Sequence, residues 1–142
     1  MKVVGIIAEY NPFHKGHQFH LDRGREITHA DYVIVVMSGN YVQRGTPAMF
    51  DKYTRAEAAL RSGADLVLEL PVSVATGSAE YFASGAVKLL ADTGIVTDLC
   101  FGSECGSLME LQKLADILAD EPEEYQIFLR KYLKAGMSFP AA

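Results

Sequence analysis

Cysteine, tryptophan and long apolar runs are scarce or absent in this chain of 142 residues. It has no tryptophan and two cysteines, Cys100 and Cys105. Two cysteines are too few for a disulfide framework, and they lack the four-ligand spacing of a structural zinc site. No apolar stretch approaches the ~20 residues that a membrane-spanning helix needs, and the first residues lack the layout of a signal peptide. We therefore expect a soluble, cytoplasmic protein with no membrane partner.

Basic residues are in the minority as well. Lys and Arg number 13 against 18 Asp and Glu, which gives a net charge of −5. A main nucleic-acid platform usually carries a basic face, because phosphate contacts dominate its affinity. We therefore expect no DNA partner, although this balance is compatible with a local basic site. The share of apolar residues, 49%, is that of an ordinary globular domain.

Short apolar runs alternate with longer stretches of helical periodicity. The runs predict β-strands at 3–8, 31–37, 65–70 and 97–101, and the stretches predict helices at 16–28, 51–62, 78–93, 107–119 and 122–135. This alternation predicts an α/β fold, a Rossmann-like parallel sheet with right-handed crossovers and helices on both faces. Ligands of such sheets bind at the carboxyl ends of the strands, where the loops 9–16, 38–47 and 102–106 are expected.

The segment His14-Lys15-Gly16-His17 stands where the first strand ends and the first helix begins. Backbone N–H groups and the positive end of the helix dipole favour an anionic ligand there, and Gly16 leaves room where a Cβ would collide. His14 and His17 are three residues apart, so both imidazoles can lie on one side of the helix. They can bind phosphate oxygens and stabilise charge that develops during attack on phosphorus. The motif predicts that these histidines handle the phosphates of a nucleotide.

Two other interpretations of the histidines stay open. They could cap the helix or fill space at its start. They could also ligate zinc, although a third ligand is not evident nearby.

The stretch 8–17 resembles the His-x-Gly-His signature of the nucleotidyltransferase superfamily, with Asn11 in place of the usual aspartate and Ala8 in place of the usual glycine. These departures, with the segments 36–45, 64–71 and 101–104, make the chain similar to the bacterial tRNA(Met) cytidine acetate ligases. The resemblance spans nearly the whole chain, and full members of the family are considerably longer. We expect 1–142 to be a nucleotide-binding (adenylation) domain that is truncated at its C-terminal end.

The resemblance implies a ligase that activates acetate with ATP and passes acetyl to N4 of the wobble cytidine of elongator tRNA(Met). His14 and His17 would be the catalytic residues, since they would stabilise the pentavalent α-phosphorus without a protein nucleophile. Mg²⁺ is expected to assist with the triphosphate, with no protein ligand assigned. The tRNA would be contacted mostly outside this segment. The implied ATP-binding residues are Ile7, Ala8, Glu9, Tyr10, Asn11, Pro12, Phe13, His14, Lys15, Gly16, His17, Gln18, Phe19, His20 and Gly102.

The loop 38–47 is a possible substrate loop. Asn40, Gln43 and Arg44 could close over acetate or phosphate, with Arg44 as the anion partner. A solvated connecting loop is the alternative.

Charged residues also occur in the predicted helix 51–62 and the predicted strand 65–70. Lys52, Arg55 and Arg61 are expected on a solvated helix face, with RNA contact as the alternative. Glu69, inside an apolar strand, is expected to be a partnered structural carboxylate, with a site-facing one as the alternative.

Two further functions stay open. One is a nucleotidyltransferase that couples ATP or CTP to a phosphorylated small metabolite. The other is a non-catalytic nucleotide-binding domain.

Overall fold

The computed structural model describes residues 1–141, apart from the side chains of Arg44 and Pro140. The chain forms two compact units, Met1–Gly102 and the segment from Ser103 onward. The first unit contains the strands β1 (Val3–Ala8), β2 (Tyr32–Ser38), β3 (Leu66–Leu70) and β4 (Asp98–Cys100). Its helices are α1 (Lys15–Thr28), α2 (Lys52–Arg61), α3 (Val72–Ala75) and α4 (Ala79–Asp92), with a 3₁₀ turn at Gln43–Gly45. The second unit contains α5 (Leu108–Asp120), α6 (Glu123–Lys134) and a 3₁₀ turn at Phe139–Ala141.

The four strands form one sheet in the order β3-β2-β1-β4, and every neighbouring pair is parallel. This confirms the predicted α/β fold with a parallel sheet. Ala8 pairs with Met37, and Met37 pairs with Glu69, so these residues form one row near the carboxyl ends of β1, β2 and β3. The carboxyl ends of three adjacent strands therefore meet at the edge where such sheets bind ligands.

Helices cover both faces of the sheet, as the alternating pattern predicts. On one face, Leu21 of α1 and Ala59 of α2 join a buried cluster with residues of β1 and β2. On the other face, Ala75 of α3 and Leu90 of α4 join a second cluster with the same strands. Both clusters exist because alternate strand residues point to opposite faces and each strand has apolar residues at both sets of positions.

Three of the helices begin at capping residues that can be recognised in the sequence. The side chains of Asp51, Ser78 and Ser107 accept hydrogen bonds from backbone N–H groups in the first turns of α2, α4 and α5. Each predicted strand or helix end lies within one residue of the observed end. The short helix α3 is additional to the prediction, because four residues after Pro71 are too few to show helical periodicity.

The second unit consists mainly of α5 and α6. Apolar side chains on both helices are exposed, among them Leu114, Leu118, Ile127 and Phe128. In residues 1–141 each helix is too short or too polar to cross a membrane.

Candidate functional site

A cavity of about 400 Å³ opens at the carboxyl end of β1. The end of β1, the loop after it and the first turns of α1 line this cavity with Ile7, Ala8, Glu9, Tyr10, Asn11, Pro12, His14, His17 and His20. All of these belong to the implied ATP-binding set. The remaining members of that set, which are not among the lining residues, are Phe13, Lys15, Gly16, Gln18, Phe19 and Gly102.

The loop between β1 and α1 is built around the buried ring of Tyr10. Its backbone has a φ of 49°, in the left-handed region that few non-glycine residues adopt, and the residue is 1% exposed. The ring packs edge-on against Phe13 and His17, with centroid distances of 4.8 Å to each. Burial raises the pKa of the Tyr10 phenol, which therefore stays protonated. Tyr10 thus supports the His17 imidazole from the interior of the protein.

His14 and His17 form a capping box at the start of α1. Nδ1 of His14 accepts a hydrogen bond from the Gly16 N–H at 3.1 Å, and Nδ1 of His17 accepts one from the His14 N–H at 3.2 Å. A Cβ on residue 16 would lie 3.0 Å from Cε1 of His14, so glycine makes room for this ring. The sequence predicts that these N–H groups and the space at Gly16 serve an anionic ligand. In the structure the two imidazoles accept the N–H groups of His14 and Gly16, and the His14 ring fills the space at Gly16.

The capping box decides which ring nitrogen can face a ligand. A nitrogen that accepts an N–H carries no proton, so a neutral imidazole bonded through Nδ1 has its proton on Nε2. The two rings stack with centroids 3.7 Å apart and an interplanar angle of 23°, which confirms that they lie on one side. Burial, followed by the charge that His14 and His20 can carry, lowers the pKa of His17 and favours its neutral form. Each ring therefore keeps one Nε2–H donor for a ligand.

His20 forms the wall of the cavity on the side of β4. Its Nε2 lies 3.5 Å from Sγ of Cys100, which belongs to the strand beside β1. Burial lowers the pKa of His20 and raises the pKa of the Cys100 thiol. The pair is therefore a neutral imidazole beside a thiol, and it joins α1 to β4.

The loop after β2 docks onto the loop after β1 through two side chains. Oε1 of Glu9 accepts a hydrogen bond from the Gln43 N–H at 2.7 Å. Oδ1 of Asn11 accepts one from the Met49 N–H, also at 2.7 Å. An aspartate could make the second contact equally well, so nothing in the structure explains why Asn11 replaces the usual aspartate.

The prediction of a solvated helix face for Arg55 is wrong, because this residue is buried and only 2% exposed. Its guanidinium donates hydrogen bonds to the carbonyl oxygens of Phe50 at 3.0 Å, of Glu9 at 2.5 Å and of Gly39. It therefore joins the ends of β1 and β2 to the start of α2. The signal in the sequence was the spacing, because Ala59, four residues later, lies on the same buried face.

Two residues of the possible substrate loop, Asn40 and Gln43, make hydrogen bonds that connect this loop to neighbouring segments. Oδ1 of Asn40 accepts a hydrogen bond from the Lys52 N–H at 2.9 Å, and Gln43 provides its N–H to Glu9. The Arg44 side chain lies outside the described residues. Asn40 and Gln43 are not among the residues that line the cavity.

The remaining charged candidates are paired. Lys52 and Glu69 form an ion pair at 2.6 Å, so Glu69 is the partnered carboxylate that the sequence predicts. Arg61 pairs with Glu57 at 2.6 Å on an exposed face, as expected for a solvated residue. Lys52 is more buried than expected, with a side chain 27% exposed.

Gly102 follows the short strand β4. Ile6 pairs with Cys100, so the chain leaves β4 beside the carboxyl end of β1. Gly102 therefore lies on the same edge of the sheet as the cavity.

Metal binding by the histidine pair finds no support in the donor set. Within residues 1–141, no group of three or more His, Cys, Asp or Glu side chains could hold a metal ion. In addition, His14 and His17 already use Nδ1 to accept backbone N–H groups. A zinc site on these two residues therefore lacks its further ligands within that part of the chain.

Comparison with known proteins gives matches over the whole chain. The sequence model of the HIGH Nucleotidyl Transferase family matches residues 1–142. A protein of Acetivibrio thermocellus named tRNA(Met) cytidine acetate ligase is 56% identical over 142 residues, which are 100% of this chain and 34% of that protein. A protein of the same name from Clostridium perfringens is 54% identical over 142 residues, 100% of this chain and 35% of that protein. The chain thus spans about a third of the length of the curated relatives it matches.

Solved structures match as well. The crystal structure of Thermotoga maritima TmcAL bound with alpha-thio ATP has a TM-score of 0.89 and 57% sequence identity to this chain. The match covers 99% of this chain and 34% of that one. A structure of the same Thermotoga maritima protein without ligand matches with the same TM-score of 0.89.

Proposed function

The chain belongs to the HIGH Nucleotidyl Transferase family, and we propose that it carries the ATP-handling site of a tRNA(Met) cytidine acetate ligase. The observation that carries the proposal is the capping box of His14 and His17, which leaves two Nε2–H donors for a ligand in the cavity. Two further findings support it. The relatives with this name are 54–56% identical over the whole chain, and the similar Thermotoga structure binds an ATP analogue.

ATP would lie along the carboxyl end of β1, with its phosphates at the start of α1. The two Nε2–H groups would donate hydrogen bonds to phosphate oxygens, and the dipole of α1 favours the same negative charge. His17 is held in place by Tyr10 and Phe13, so its donor is oriented before ATP binds. Rigid donors of this kind stabilise a transition state without reorganising during the reaction.

The first step would be attack by an acetate oxygen on the α-phosphorus of ATP. The new O–P bond forms, the bond from the α-phosphorus to the bridging oxygen breaks, and pyrophosphate leaves with that electron pair. Negative charge grows on the oxygens of the pentavalent phosphorus, and His14 and His17 would stabilise it through Nε2–H. No protein nucleophile is needed, because positioning and electrostatics lower the barrier.

The second step would transfer the acetyl group to N4 of the wobble cytidine in elongator tRNA(Met). The amine attacks the acetyl carbonyl carbon, the bond from that carbon to the phosphate oxygen breaks, AMP leaves with that electron pair, and the nitrogen releases one proton to water. The net charge of −5 fits a segment that contributes the adenylate rather than most of the tRNA surface. A tRNA substrate is consistent with action in the cytoplasm.

Mg²⁺ would be held mainly by the substrate. Mg²⁺ in nucleotide sites usually keeps several waters and uses one or two carboxylates together with phosphate oxygens. Such an ion fits residues 1–141, where no cluster of three or more acidic, His or Cys side chains could form a dedicated site. The ion would neutralise part of the triphosphate charge during the first step.

Exchange of labelled pyrophosphate into ATP tests the proposal in the full-length protein. We expect exchange that depends on acetate and that falls ~10²- to 10³-fold in His14→Ala and in His17→Ala. His29→Asn is the matched control. His29 caps the C-terminal end of α1, away from the cavity, and asparagine tolerates the left-handed backbone at this position.

The other functions predict different results. A nucleotidyltransferase for a phosphorylated metabolite would exchange labelled pyrophosphate into ATP only when that metabolite is present, and acetate would have no effect on the exchange. A non-catalytic domain would bind ATP without any exchange. Wild-type exchange in both alanine variants would contradict the assigned role of the histidines.

A further inference from the structure

A second cavity, of about 200 Å³, lies at the same edge of the sheet and shares no lining residue with the ATP cavity. It is lined by residues of β2, β3 and α2: Met37, Lys52, Tyr53, Ala56, Val67 and Glu69. Met37 and Glu69 share one row with Ala8, which lines the ATP cavity. Adjacent strands lie ~4.8 Å apart, so the Glu69 backbone is ~10 Å from the wall of the ATP cavity. A group bound here would therefore be close to an adenylate formed at β1.

The polar part of this cavity is the ion pair of Lys52 and Glu69. Nζ of Lys52 donates to Oε2 of Glu69 at 2.6 Å, and half of the Glu69 side chain is exposed. A Cβ on residue 39 would collide with Oε1 of Glu69, so Gly39 leaves the space that this carboxylate occupies. The hydrogen bond to Glu69 raises the pKa of Lys52, which therefore stays charged. The cavity thus presents an acceptor directly beside a donor.

An exposed aromatic ring lies next to this pair. Tyr53 is 74% exposed, and Nζ of Lys52 lies 5.4 Å from the centre of its ring. Ala56 and Val67 give the cavity an apolar part. An exposed ring beside a cation is the arrangement on which proteins stack the bases of single-stranded RNA.

We propose that this cavity receives the acceptor cytosine of the RNA substrate, stacked on Tyr53 and read by the Lys52–Glu69 pair. The inference rests on the proposed function and names the subsite for its second substrate. The pairing edge of cytosine has an amine donor at N4 next to acceptors at N3 and O2. The Glu69 carboxylate accepts from N4, as acidic residues do in cytosine recognition, and the Lys52 ammonium donates to the acceptors. Uracil has an oxygen at C4, which would face the carboxylate and be repelled.

The experiment separates recognition from the structural value of the ion pair. The full-length protein is given ATP, labelled acetate and elongator tRNA(Met), and both pyrophosphate exchange and acetyl transfer are measured. The double variant Lys52→Glu/Glu69→Lys keeps an ion pair but exchanges donor and acceptor. We expect exchange within about twofold of wild type, while kcat/KM for the tRNA falls roughly 5- to 150-fold.

Tyr53 provides an independent test. Tyr53→Ala should lower kcat/KM for the tRNA by roughly 5- to 150-fold through lost stacking, whereas Tyr53→Phe should retain it. The matched controls are Tyr32→Ala, an exposed tyrosine at the amino end of β2, and Glu57→Arg/Arg61→Glu, a swapped ion pair on the outer face of α2. Both controls should leave exchange and transfer unchanged.

Three results would overturn the inference. If the Lys52–Glu69 swap transfers acetyl at the wild-type rate, the pair does not read the base. If exchange falls as much as transfer, the pair supports the ATP site instead. In both cases the proposed function survives. If the wild-type protein shows no acetate-dependent exchange, the proposed function fails, and the cytosine subsite fails with it.

Discussion

Replacing His14 with asparagine separates the two tasks of its imidazole. In the structure Nδ1 caps α1 through the Gly16 N–H at 3.1 Å, and Nε2–H is left for the nucleotide. Asparagine is among the best N-cap residues and can accept the same N–H, but it has no donor in the place of Nε2. We expect the free energy of unfolding of His14→Asn to stay within ~0.5 kcal/mol of wild type, whereas His14→Ala should lose ~1 kcal/mol.

The activity of the two variants should not follow their stability. Loss of one preorganised donor to a developing oxyanion costs ~10²- to 10³-fold in rate, so both variants should show that loss. The assays are urea unfolding and acetate-dependent pyrophosphate release at saturating ATP. Wild-type turnover in His14→Asn would refute the role of Nε2. A stability loss in His14→Asn equal to that in His14→Ala would refute the role of Nδ1.

Three further substitutions test the surroundings of the site. Arg55→Met should lower the free energy of unfolding by about 3 kcal/mol, because three carbonyls lose a charged donor and each buried unpaired group costs ~1–3 kcal/mol. Urea unfolding measures this loss, with Arg61→Met as the control. Equal losses in the two variants would contradict the prediction. Tyr10→Phe should be neutral or stabilising in the same assay, because the buried hydroxyl has no hydrogen-bond partner among the described residues; a loss above ~1 kcal/mol would show a partner. The folded pKa of His17 lies below 6.5, so the stability from its neutral ring is complete above that pH and is lost as the pH falls through the folded pKa. When the pH is lowered from about 7.5 to about 5, the free energy of unfolding of His17→Gln should therefore fall less than that of wild type. Equal decreases in the two proteins would contradict the lowered pKa of His17.

The sequence predicted the elements of the fold well because local signals mark their ends. Asp51, Ser78 and Ser107 cap helices, and Pro71 follows a strand that it cannot continue. Four-residue α3 has no periodicity of its own and follows from tertiary packing, since Ala75 is buried against the sheet.

The site was predictable in its residues but not in its contacts. The spacing of His14 and His17 indicates two rings on one side of α1, and the structure has them stacked. That both Nδ1 atoms would cap the helix depends on side-chain rotamers that spacing does not determine. The burial of Arg55 is not evident from the sequence, because a single arginine in a helix is usually solvated and two of its carbonyl partners, Glu9 and Gly39, are distant from it in sequence.

The fate of the acetate oxygens tests the central claim most directly. With acetate labelled with ¹⁸O in both carboxyl positions, attack on the α-phosphorus and later transfer of the acetyl group leave one labelled oxygen on AMP. The full-length protein with ATP, labelled acetate and elongator tRNA(Met) should therefore give AMP that carries one ¹⁸O, measured by mass spectrometry, together with an acetylated cytidine. AMP without the label, or label in inorganic phosphate, would contradict an acetyl-adenylate formed at His14 and His17.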